Sequence, residues 1–409
     1  MPKISGRRVL TLTAITLAFL GAAEVASRVK YFHLHDEDLF YLLTPFLRVE
    51  QTQRPFHGLF IPEKERMALG LPDPGPGWGE GRFERPCRDR AVFSTCRNDI
   101  IMSSYNSYCW RGRDITMEKP DSVFRILTVG GSTVESEDIG DDDLFTTLLE
   151  DRLNEDPGPA GHFQVLNAGH SAYDSRQINE LLNMKGFLFK PDIVLYYEAV
   201  NEQINALEWF SINRKIQALG DSFIGPLHRC LYMNSMLYTY LVEKYFYLQR
   251  ESFTRWNFDE ARSRRIFTAN IDDCHAHGAE FIYVTQIIDF PLREGRLDLN
   301  SESVLRSQLD SLYKVASGNS DTELWNRINA MNQRLINLIQ VDICRQKNVP
   351  VIDILDYFDQ RRNGGERYFR DLVHKTCSGD NLLAEGIYLQ IKPHAAGDPA
   401  ETLSASSNP

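Results

Sequence analysis

From Phe124 onward the chain alternates short, nearly unbroken apolar runs with longer stretches of helical spacing, and this alternation restricts the fold more than any other feature. The runs are Phe124–Val129 (FRILTV), Phe163–Leu166 (FQVL), Asp192–Tyr197 (DIVLYY), Ala279–Thr285 (AEFIYVT) and Pro350–Leu355 (PVIDIL). Apolar residues recur at helical intervals in Leu144–Leu153, Ser175–Lys190, Asp259–His277, Leu324–Lys347 and Leu382–Leu389. A strand that is apolar along its whole length is buried on both faces, as in a parallel sheet crossed by helices. Residues 120–393 are therefore expected to form one doubly wound α/β domain with about five parallel strands. Residues 203–258 depart from the pattern. They hold no clear strand, and Tyr232–Tyr247 (YMNSMLYTYLVEKYFY) is aromatic and helical in character. They read as a helical insertion after strand three, either an ordinary packed helix pair or a lid over the strand ends.

In open α/β sheets, sites form beyond the carboxyl ends of the strands. Gly130-Gly131-Ser132-Thr133 follows the first run, Asn167-Ala168-Gly169 the second, and Ala199-Val200-Asn201-Glu202 the third. The loop after the fifth carries Asp371-Leu372-Val373-His374. A serine hydroxyl is a weak nucleophile until a base takes its proton. His374 is the candidate base, and Asp371 the carboxylate that orients it. The tetrahedral intermediate of acyl transfer needs donors aimed at its oxyanion. The candidates are the backbone N–H groups of Ser132 and Gly169 and the side-chain amide of Asn201. Each residue also has a structural alternative. Ser132 suits a helix N-cap, Asn201 suits a cap on the first helix of the insertion, and Asp371 with His374 suits a surface loop pair.

These four blocks, in this order, resemble the SGNH (GDSL) hydrolase family over residues 106–390. The stretch Asn106-Ser107-Tyr108-Cys109-Trp110-Arg111-Gly112 resembles the lead-in of its membrane-anchored Gly-Gly-Ser-Thr subgroup. The resemblance implies a flavodoxin-like sheet and a serine esterase that works through an acyl-enzyme without a cofactor. It also implies acylated glycans or lipids, of the cell envelope or exported, as substrates. O-acyl transfer to a sugar hydroxyl is the alternative on the same machinery, and a non-catalytic binding module is a third. The family's usual Asp before the serine is Gly131 here, its third-block Gly is Ala199, and its third-block Asp is Glu202.

The N-terminus sets the expected location. Lys3, Arg7 and Arg8 precede an apolar run from Val9 to Ala23, which Val25 and Ala26 extend past Glu24. A positive flank before such a run reads as a signal anchor or a signal peptide over residues 1–29. The catalytic domain is then expected outside the cytoplasm, joined by a juxtamembrane extension at 30–119 with Pro and Gly clustered at Leu71–Gly81. Residues 394–409 read as a disordered tail. In an oxidising compartment some of the seven cysteines are expected to pair, Cys87 with Cys96 first. A net charge of −11 without a long basic run excludes nucleic acid as a partner class. Cys274, His275 and His277 sit at a helix end before Gly278 and read as a solvated helix terminus, and the acidic run Glu137–Asp143 lacks the ordered spacing of a calcium loop, so no metal is expected. Arg111 and Arg113 are read equally as contacts for an anionic substrate or as structural residues.

Overall fold

The computed structural model describes residues 99–204, 260–289, 301–316, 322–361 and 366–395 almost continuously. It also describes the strand at 90–94, a helical stretch at 18–26 and scattered positions between 227 and 245. The chain divides into two compact units, one of residues 1–53 with 208–251, the other of 54–207 with 252–409.

The larger unit is built on a parallel five-stranded sheet. Its strands are β3 (Val123–Gly130), β4 (His162–Gly169), β5 (Ile193–Tyr197), β6 (Glu280–Val284) and β7 (Val351–Ile352), in the order β4-β3-β5-β6-β7. This is the flavodoxin-like order expected of a doubly wound sheet. Both faces are covered, and residues alternate between them along each strand. Leu127, Val129, Val194, Tyr196, Phe281 and Tyr283 pack on one side against α3 (Ser175–Met184), α5 (Glu260–Ala276), α6 (Glu302–Ala316) and α7 (Thr322–Lys347). Ile126, Ile193, Leu195, Tyr197, Ile282 and Val284 pack on the other, against α2 (Phe145–Glu155), α8 (Ile354–Arg361) and α9 (Cys377–Ala395). The remaining helices, α1 (Ser132–Glu135) and α4 (Val200–Ile204), are short and follow β3 and β5 directly.

Three elements differ from the sequence expectation. The fifth strand is two residues long, because Asp353 starts a helix. Its Oδ1 accepts from the Leu355 N–H at 3.1 Å and from Thr285 Oγ1 at 3.0 Å, and α8 runs on from Ile354. The extension at 30–119 is not uniformly irregular. β1 (Arg90–Ser94) and β2 (Asp99–Ser103) form an antiparallel pair. Tyr108 and Trp110 are buried in the sheet domain's core, with ring centroids 4.8 and 4.6 Å from Phe189. Helix α6 was not anticipated; it buries Leu305, Leu309, Tyr313 and Ala316 along one stripe.

In the insertion, the described positions 227–228, 231, 237–238, 241–242 and 245 are helical. Among the described residues no helix is long and apolar enough to cross a membrane. Most of 30–89 and all of 396–409 lie outside the described residues.

Candidate active site

The sheet register sets the site. Gly130, the last residue of β3, stands beside Gly169 of β4 on one side and Tyr197 of β5 on the other. The chain leaves β3 toward one edge of the sheet and β5 toward the other, so the crevice opens between them. Gly131 then turns the chain as N-cap of α1, with φ −86 and ψ −151, and Ser132 is the first residue of that helix. Capping is therefore not the work of the Ser132 hydroxyl. Ser132 Oγ instead lies 2.8 Å from His374 Nε2. Gly131 has no room for a side chain, since a Cβ there would lie 2.1 Å from Asn201 Nδ2 and 2.5 Å from Glu198 Oε2. That crowding gives a physical reason for glycine at this position.

The loop before α9 presents the candidate base, His374. Asp371 Oδ1 accepts from the backbone N–H groups of Val373 (2.9 Å) and His374 (2.8 Å), while Oδ2 lies 2.8 Å from His374 Nδ1. The Arg370 N–H closes the turn on the His374 carbonyl at 2.8 Å. Partial burial works to raise the Asp371 carboxyl. The imidazole and the two backbone donors outweigh it and hold the group well below the usual carboxylate range. A carboxylate there takes the Nδ1 hydrogen, which leaves Nε2 as acceptor for the serine proton. Ser132, His374 and Asp371 are thus brought into one hydrogen-bonded line. Arg370 stands beside it, its Nε 4.0 Å from Asp371 Oδ2 and its Nη1 paired with Asp138.

The three candidate oxyanion donors differ in engagement. Among the described residues the Ser132 N–H has no protein acceptor. The Gly169 N–H donates to Asn167 Oδ1 at 3.1 Å. A side chain at 169 is excluded, because its Cβ would lie 2.4 Å from the Glu135 nitrogen. Asn201 is buried and caps no helix; its Nδ2 donates to the Tyr173 carbonyl at 2.9 Å and to Glu198 Oε2 at 3.1 Å.

Sequence reasoning missed three residues that hold this geometry. Glu198 is fully buried and accepts from the Gly131 N–H (2.9 Å), the Asn201 N–H (2.6 Å) and Asn201 Nδ2. Burial pushes its carboxyl well above the usual range, with the nearby Glu202 adding to the shift, although the donors favour the charged form. Gln286, just past β6, accepts from the Ala199 and Val200 N–H groups at 2.8 and 2.6 Å and donates to Thr133 Oγ1 at 2.8 Å. Lys375 adjoins the base. Its Nζ donates to the Thr133 carbonyl at 2.7 Å and pairs with Asp380 at 3.2 Å, both side chains fully buried. The available signal was position: a lone Glu ending an apolar strand, a Gln in the same place one strand over, and a Lys beside the candidate histidine.

Other singled-out residues do not join the site. Glu202 Oε1 accepts from the Ser175 N–H at 2.6 Å, at the start of α3, and its Oε2 accepts from Ser263 Oγ of α5 at 2.9 Å. Arg111 is buried and structural, donating to the carbonyls of Ser136 and Ile139 at 2.7 Å each and to Asp141 Oδ1 at 3.0 Å. Arg113 pairs with Glu150 and Asp151 at the surface. His277 stacks on Phe187 at 4.0 Å, Cys274 is a free buried thiol, and no metal-holding cluster occurs among the described residues. Cys109 and Cys377 are disulfide-bonded, whereas Cys87 and Cys96 lie outside the described residues.

Neither a protein-family model nor a curated protein sequence matches the chain. Several solved structures are similar to it. A lipase/acylhydrolase from Enterococcus faecalis shares 15% identity, with 66% of this chain and 96% of that one covered, at a TM-score of 0.39. An acetylxylan esterase from Geobacillus stearothermophilus shares 12%, covering 67% and 94%, also at 0.39. A GDSL-like lipase from Bacteroides thetaiotaomicron shares 10%, covering 68% and 93%, at 0.37.

Proposed function

We propose that the chain is a serine ester hydrolase in which Ser132 is the nucleophile, His374 the general base and Asp371 its orienting carboxylate. The observation that carries this reading is the unbroken line from Ser132 Oγ through His374 to Asp371, 2.8 Å at each link. In the first step His374 Nε2 takes the hydroxyl proton as Oγ attacks the ester carbonyl. The imidazolium is stabilised by Asp371 and returns its proton to the leaving alcohol. Water then attacks the acyl-enzyme by the reverse proton path and frees the acid. The Ser132 N–H is the oxyanion donor without a competing acceptor. Gly169 and Asn201 complete the hole when the oxyanion competes for hydrogens now given to Asn167, Tyr173 and Glu198. A sugar hydroxyl in place of water turns the same acyl-enzyme into a transferase.

We assign the reaction to the outer side of a membrane, with an acylated glycan or lipid as substrate and the N-terminal segment as anchor. The basic flank before Val9–Ala26 supports this assignment, as do the disulfides at Cys109 and Cys377, which belong to an oxidising compartment. The test of the chemistry is p-nitrophenyl acetate turnover by wild type, Ser132→Ala and His374→Ala, with product analysis in the presence of a glycan acceptor. Each substitution is expected to lower kcat by up to about 10⁶-fold while the fold is kept. Wild-type rates in His374→Ala contradict the assignment.

A further inference from the structure

Nine large apolar side chains are strongly exposed among the described residues, and six of them fall in the smaller unit. Phe19, Leu20 and Val25 come from the N-terminal helical stretch; Leu227, Leu241 and Tyr245 come from the insertion. Phe19 is 72% exposed and Leu227 63%. Soluble surfaces scatter such side chains singly. Here they gather in a unit that contributes few of the described residues.

The same unit answers the acid that interrupts the apolar run. Between Val9 and Ala26 the only charged residue is Glu24. Its Oε2 accepts from Ser235 Oγ at 2.8 Å and from the Leu237 N–H at 2.9 Å. Ser235 Oγ in turn accepts from the Tyr238 N–H at 3.1 Å, the geometry of an N-cap. A turn of insertion helix thus begins on the Glu24 carboxylate, where N-terminal donors favour negative charge. In a medium of low dielectric such partners matter most, because a buried carboxylate without them is strongly disfavoured.

We propose that the insertion, at its described positions between 227 and 245, is a second membrane element, paired with the N-terminal helix through Glu24 and sharing its contact with lipid. The proposal rests on the membrane reading above and extends it to a segment 200 residues further along the chain. Three observations choose lipid as the occupant. Lys3, Arg7 and Arg8 flank the apolar run on the side that anionic headgroups attract. Exposed apolar residues lie on both partners of the pair. Tyr232–Tyr247 carries five tyrosines, a side chain favoured at the boundary between acyl chains and water.

The test reconstitutes the full chain into vesicles of phosphatidylglycerol and phosphatidylethanolamine. A lipid-soluble carbene photoreagent and a membrane-impermeant aqueous reagent are applied in parallel, and labelled peptides are mapped. Lipid-phase label is expected in peptides spanning 227–245 as well as 9–26, well above that in peptides from 260–276. Lipid label at 9–26 with only aqueous label at 227–245 overturns this proposal and leaves the anchor standing. Lipid label in neither segment overturns both. A 227–245 peptide shielded from both reagents, in a protein that runs as a dimer in detergent, makes the occupant a second copy and also overturns the proposal.

Discussion

The proton on Ser132 has a defined path only while His374 presents Nε2, and that depends on Asp371 taking Nδ1–H. Asp371 meets three donors, two of them backbone N–H groups of its own turn. An Asn at this position keeps one acceptor oxygen and turns a donor toward the ring, which favours the wrong tautomer. Asp371→Asn is expected to lower kcat by up to about 10⁴-fold, less than loss of Ser132 or His374. The same contacts make a prediction about stability. The folded-state carboxyl is held below its unfolded value, so its stabilising effect is present above about pH 4 and is lost as acid protonates the folded group. Denaturant midpoints of wild type and Asp371→Asn, measured from pH 7 down to pH 2, are expected to differ most near neutrality and to draw steadily closer below about pH 4. A gap that stays constant across that range contradicts the assigned ionisation.

At the scale of elements, the nucleophile turn and the base loop are tied together by a buried charge rather than by the sheet. Lys375 reaches from the residue after His374 to the Thr133 carbonyl and to Asp380 of α9. Removing one partner leaves the other charge buried and unpaired, at a cost of about 3–5 kcal/mol. Lys375→Met is expected to lose that much in urea unfolding and to lower kcat. The double variant Lys375→Met/Asp380→Leu is expected to recover stability but not rate. Equal recovery of both means that Lys375 does not position His374. The strands were legible because parallel, doubly covered strands are apolar throughout, and the ends of β3, β4 and β5 located Ser132, Gly169 and Asn201. The polar residues that fix the site were less visible, since Glu198, Gln286 and Lys375 each have at least one partner far away in sequence, Gly131 for the first and Thr133 for the other two. The Asp353 cap was hidden in the same way: PVIDIL has strand composition, and only the Thr285 hydroxyl across the sheet edge shows where the helix takes over.

For the whole molecule, a doubly wound α/β domain, the proposed hydrolase, shares a chain with an apolar N-terminal segment. Export predicts that protease added to intact spheroplasts cleaves beyond residue 30, and that reducing agent lowers the thermal midpoint by opening the disulfides at Cys109 and Cys377. A domain protected until lysis contradicts the location without touching the chemistry. The proposed chemistry stands or falls on Ser132, because a serine that a neighbouring base activates is more reactive than an ordinary serine. A fluorophosphonate probe, incubated with the folded protein and mapped by mass spectrometry, tests that directly. One phosphonylated residue, Ser132, is expected, with labelling abolished in His374→Ala and in heat-unfolded protein. No adduct at Ser132 in the folded wild type, or an adduct that survives loss of His374, contradicts it.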